Sequence, residues 1–64
     1  MFKLTQFNYG RMIDFGDFAT ADEAKAAVPG AIVDAEEDED LPGFFNILTV
    51  VQGAPLHFLI TPTN

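Results

Sequence analysis

Carboxylates are the reactive groups that this sequence concentrates. The run Asp34-Ala35-Glu36-Glu37-Asp38-Glu39-Asp40 places six of the ten acidic side chains within seven residues, and His57 is the only imidazole. Such a run first suggests calcium, because Asp34, Glu36, Asp38 and Asp40 imitate ligand positions 1, 3, 5 and 7 of an EF-hand loop. The imitation fails where that geometry is strictest, since position 6 falls on Glu39 instead of Gly and position 12 on Phe45 instead of Glu. No metal and no other cofactor is expected. Catalysis has no better footing. The chain has no Ser and no Cys, and a Thr-His-Asp triad would lack a nucleophile elbow or oxyanion loop beside any threonine. His57 alternates with Leu56 and Phe58 as an ordinary surface histidine on a strand does. Asp14 and Asp17 fall on opposite faces of a regular strand unless Gly16 bulges, which leaves paired-carboxylate hydrolysis unsupported. The chain is therefore read as a non-enzyme.

Binding is the chemistry left to the acidic run. In an extended conformation residues i and i+2 project on the same side about 6.6 Å apart. Asp34, Glu36, Asp38 and Asp40 would then form one row, and Glu37 and Glu39 a second. Rows of negative charge at that spacing resemble a phosphate backbone and suit a basic groove. The plainer alternative is a solvated connection whose charges keep the neighbouring strands from aggregating. Asp14, Asp17, Asp22 and Glu23 are a second acidic group that would extend the surface, although Asp22 and Glu23 also suit the start of a helix. Leu41, Phe44 and Phe45 flank the run as apolar anchors or as core.

The elements that must position these side chains are legible in outline. Phe2–Phe7, the turn residues Asn8-Tyr9-Gly10 and the extended run Arg11–Phe18 read as a β-hairpin. Ile13 and Phe15 share one face and Met12 and Asp14 the other, and a bulge at Gly16 would bring Phe18 into phase with Ile13 and Phe15. Thr20-Ala21-Asp22-Glu23 is a capping box that opens a short alanine-faced helix, and Pro29-Gly30 ends it. Ala31-Ile32-Val33 is a strand leading into the acidic run, and Leu41-Pro42-Gly43 turns the chain. Phe44–Val51 is apolar on both faces, the pattern of a central strand covered on both sides. Gln52-Gly53-Ala54-Pro55 is a four-residue connection to a last strand, Leu56–Thr61. The order is ββαβββ in a single domain spanning residues 1–64, an α+β fold with a mostly antiparallel sheet of four to five strands and one helix.

Composition narrows the partners. Sixty-four residues bury only about 60% of the unfolded surface, so the core must be small and well filled. With no Cys there is no disulfide framework. Neither an export signal nor an apolar run of about 18 residues is found, and the chain is expected to be soluble and cytoplasmic. The net charge is -7, with only Lys3, Arg11 and Lys25 as cations. That excludes direct nucleic-acid binding and docking on anionic membranes, and it favours a basic partner. The competing expectation is a small interaction or assembly module that uses the exposed face of the Phe44–Val51 sheet, with the acidic loop serving solubility. A monomer or weak homodimer is expected.

On Asp34, Glu36–Asp40 and, secondarily, Asp14, Asp17, Asp22 and Glu23, the chain resembles the small acidic DNA-mimicking inhibitors of phages and mobile elements, among them some anti-CRISPR proteins and restriction inhibitors. The likeness lies in size and charge, without a diagnostic motif. It implies stoichiometric occlusion of a basic nucleic-acid-binding protein in a bacterial host, such as the target-DNA channel of a CRISPR surveillance complex, with no catalysis.

Overall fold

The computed structural model describes residues 1–63. Strands β1 (Phe2–Asn8) and β2 (Arg11–Phe18) form the first hairpin, α1 (Ala21–Ala26) follows, and β3 (Ala31–Glu37), β4 (Phe45–Val51) and β5 (Ala54–Pro62) complete the chain. All five strands join one antiparallel sheet in the order β2-β1-β5-β4-β3. The fold is α+β, ββαβββ, with β2 and β3 as the two edges.

Two tight turns set the hairpins. Tyr9 and Gly10 have φ of 50° and 81°, and Gln52 and Gly53 have 51° and 79°. Positive φ at both central residues is the type I′ pattern, whose twist matches that of the flanking strands. The second connection is thus two residues long, shorter than the four expected. Ala54 and Pro55 already belong to β5. Pro55 is tolerated there because β1 pairs with β5 only from His57 onward, so no donor is required of it on that side.

Gly16 does bulge. The register of β1 with β2 shifts between Lys3 and Thr5, Gly16 has a φ of 105°, and its N–H donates to the Asp14 carboxylate at 2.7 Å. Ile13 and Phe18 consequently pair with Gln6 and Phe2, on the face that bears the core. Thr20 caps α1 by accepting from the Glu23 N–H at 3.1 Å. The return arm of the box differs from the usual form: the Glu23 carboxylate accepts from the N–H of Ala19 at 3.3 Å, one residue before the cap.

The core lies between the sheet and α1. Leu4, Ala24, Val28, Ile47, Phe58 and Ile60 are buried, and Phe2, Phe18, Phe45 and Leu56 pack around them. The Phe15 and Phe58 rings form a T-shaped pair with centroids 5.6 Å apart, and the Lys25 ammonium sits 4.4 Å from the centre of the Phe45 ring, tying the helix to β4. Only one face of the sheet is filled in this way. β4 is not covered on both sides: Ile47 and Thr49 are buried on the helix side, while Leu48 and Val50 on the other remain half-exposed. The single helix has no counterpart on the second face among the described residues.

Candidate interaction surface

The acidic run is part strand and part hydrogen-bonded turn. Strand β3 continues through Glu37, because its backbone pairs with β4 as far as Glu37 opposite Phe45. Cross-strand pairing here overrides the poor strand preference of Asp and Glu. A bulge between Ile32 and Asp34 then resets the phase. Ile32 lies opposite Thr49 on the helix side, whereas Asp34 lies opposite Leu48 and Glu36 opposite Asn46, both on the open side. The expected row of four carboxylates is therefore two residues long within the strand. After Glu37 the chain folds into a turn held by its own acids. The Asp38 carboxylate accepts from the N–H groups of Asp40 and Leu41 at 2.8 and 3.2 Å, and that of Glu37 from Gly43 at 2.9 Å. The Asp38 N–H also donates to the Phe44 carbonyl at 2.8 Å.

These bonds divide the acidic residues by role. Glu37, Asp38, Glu23 and Asp14 satisfy backbone donors, and Asp14 also pairs with Lys3 at 3.5 Å. That ion pair is exposed and adds little stability. Asp34, Glu36, Glu39 and Asp40 are exposed and make no side-chain hydrogen bond or ion pair among the described residues. Asp17 and Asp22 are exposed as well. Glu36, Glu37, Asp38 and Glu39 line a shallow hollow with Asn46 at the β3 end of the sheet.

The second acidic group does not join the first into one continuous patch. Asp14 and Asp17 stand on β2, the opposite edge, four strand spacings or about 19 Å from β3. The Gly16 bulge puts both of them on the open face, opposite Thr5 and Lys3. Asp22 and Glu23 lie on α1, on the other side of the sheet.

Register shows what lies between the two acidic edges. One row across the open face runs Asp34, Leu48, His57, Phe7, Met12, and the next runs Glu36, Asn46, Leu59, Thr5, Asp14. Phe7 and Met12 are 53% and 52% exposed. Tyr9, at the tip of the first hairpin, is 98% exposed. It lines a hollow of about 530 Å³ together with Phe7, Leu48, Pro55 and His57. A tyrosine at positive φ in a turn that favours Asn, Asp or Gly costs on the order of 1 kcal/mol. The imidazole of His57 makes no hydrogen bond among the described residues. The exposed face of Phe44–Val51 was the alternative interaction surface expected from sequence, but its extension through Phe7, Met12 and Tyr9 was not; the signal for it was Phe7 falling out of phase with Leu4.

Among the described residues no group of three or more acidic, histidine or cysteine side chains is arranged to hold a metal ion, and no helix is long and apolar enough to cross a membrane. Comparison with family models, with curated proteins and with solved structures found no match to this chain.

Proposed function

We propose that this chain is a non-catalytic binding protein that occupies a basic, nucleic-acid-binding surface of a partner protein, in the cytoplasm of a bacterial host, as DNA-mimicking inhibitors do. The observation that carries this reading is the state of the β3 edge. Asp34 and Glu36 on β3, and Glu39 and Asp40 in the turn that follows it, are exposed and among the described residues make no side-chain hydrogen bond or ion pair, on a chain whose net charge is -7. Two of its three cations are already engaged, Lys3 by Asp14 and Lys25 by the Phe45 ring. A basic groove that meets this edge recovers charge pairs that water and salt otherwise screen.

The test is a variant in which only those four carboxylates are reversed to Lys. Glu37 and Asp38 are left intact because they hold the turn. The prediction is that the parent captures a nucleic-acid-binding protein from a bacterial lysate, displaces that protein's nucleic acid one for one, and loses it steeply as salt rises. The fourfold Lys variant should keep the fold, read by circular dichroism, and lose capture. Equal capture and displacement by both forms would sink the proposal.

A further inference from the structure

We infer that the open face of the sheet is a docking site for a basic amphipathic helix of a partner protein, laid along β5 and anchored by Tyr9, Phe7 and Leu48. The basic sign of the partner rests on the function proposed above; the helix and its seat rest on the geometry of the face. The strip carried by β1, β5 and β4 presents Phe7, Leu48, His57 and Leu59, with the one cation, Lys3, towards the start of β1 and paired with Asp14. It is two strand spacings across, about 10 Å, which matches a helix with its side chains at 10–12 Å. On either side of the strip stand carboxylates, Asp34 and Glu36 on β3 and Asp14 and Asp17 on β2. A helix with apolar residues at i, i+3, i+4 and i+7, bordered on both sides by Lys or Arg, fits this pattern, because the long cationic stems reach outward to both edges. Seated there, it would give the sheet a second helical layer opposite α1.

Charge also argues against a second copy of this chain as the occupant. Face-to-face pairing would bring two sets of Asp14, Asp17, Asp34 and Glu36 together, on molecules that each carry -7. Tyr9 supplies an independent argument. It holds a left-handed backbone conformation at the rim of the strip while leaving nearly its whole side chain in water; backbone strain clusters at functional sites, and Tyr is enriched among interface hot spots.

Three synthetic peptides of about 18 residues, long enough for about 27 Å of helix, test the proposal by titration into the full chain with amide chemical shifts as readout. The first has a Leu stripe flanked by Lys and Arg, the second an Ala stripe with the same flanks, and the third the Leu stripe flanked by Glu. The first should bind at least about tenfold more tightly than either of the others and shift Phe7, Tyr9, Leu48 and His57. Ala is at least as good a helix former as Leu, so weaker binding of the second peptide reports lost apolar contact. Tyr9→Asn should weaken the first peptide several-fold without lowering the melting temperature, since Asn is preferred at this turn position. Equal binding of the first and second peptides would overturn the docking site and leave the charge-based function standing. Equal binding of the first and third would overturn the basic partner in both proposals. No binding of the first, or a homodimer in sedimentation that buries the same face, would overturn the docking site alone.

Discussion

The two faces of this sheet are built from the same strands by alternate residues, and they have been put to different uses. On the helix side Leu4, Ile47, Phe58 and Ile60 are closed off from water and Phe15 packs on Phe58. On the open side Phe7, Leu48 and Met12 occupy equivalent positions one residue away and stay exposed or half-exposed. Burial on the helix side is expected to supply most of the stability, and the open side less. A small domain has few apolar side chains to spare, and a row of them stays uncovered here between acidic edges.

Truncation of one phenylalanine on each face is the strongest way to break the comparison. Phe58→Ala removes the largest buried side chain and is expected to cost about 3–5 kcal/mol. At roughly 0.05–0.15 kcal/mol per residue, total stability is small enough for that change to leave much of the protein unfolded. Phe7→Ala, on the open face, should change stability by no more than about 0.5 kcal/mol. Urea denaturation of the two variants measures both. Comparable losses would show that the open face carries as much of the fold as the core does.

A smaller effect is expected where the chain passes from the helix to the acidic edge. Gly30 has a φ of 84°, and a methyl group there would press on the Val51 side chain and lie 2.8 Å from the Val50 carbonyl oxygen. Gly30→Ala should destabilise by about 1–3 kcal/mol through strain and overpacking. It should also disturb the pairing of Ala31 with Val50, and amide exchange would report this as loss of protection at the start of β3. A variant with parental stability and protection would mean that the entry to β3 does not depend on this close approach.

The fold was legible where a local rule acts alone. Thr20 and Glu23 announced the helix start, and the mismatch of Phe18 with Ile13 and Phe15 called for the bulge found at Gly16. The strand order was not legible, because it depends on pairings distant in sequence, such as Leu4 with Ile60. The apolar pattern of Phe44–Val51 suggested cover on both faces, yet one short helix covers only one, and the surplus became the open strip. For the candidate site, the identities of the carboxylates stood out in the sequence but their division of labour did not. Nothing in Ala31-Ile32-Val33 fixes the phase of β3, so the bulge that turns Asp34 and Glu36 to the open side had no local signal. Asp38 and Glu37 became caps because the turn into β4 left N–H groups to satisfy.

The finest test of the difference between the faces lies in a hydroxyl. Thr49 is fully buried on the helix side, and its Oγ1 has no hydrogen-bond partner among the described residues. An unpaired buried hydroxyl costs about 1–3 kcal/mol on the scale of protein mutational data. Its neighbours across the strands are Ile32 and Leu56, which offer no side-chain acceptor. Thr49→Val keeps the branched shape and removes the oxygen, so it should stabilise the protein by about 1 kcal/mol, a rise of several degrees in melting temperature for a domain of this size. The same exchange at Thr5, half-exposed on the open side and donating to the Leu59 carbonyl at 3.3 Å, should be neutral or slightly destabilising. A gain for Thr49→Val without a gain for Thr5→Val in calorimetry would confirm that one face is a dry interior and the other a surface. A loss of stability at Thr49 would mean that its hydroxyl does find a partner, and that the helix side of β4 is more polar than its packing implies.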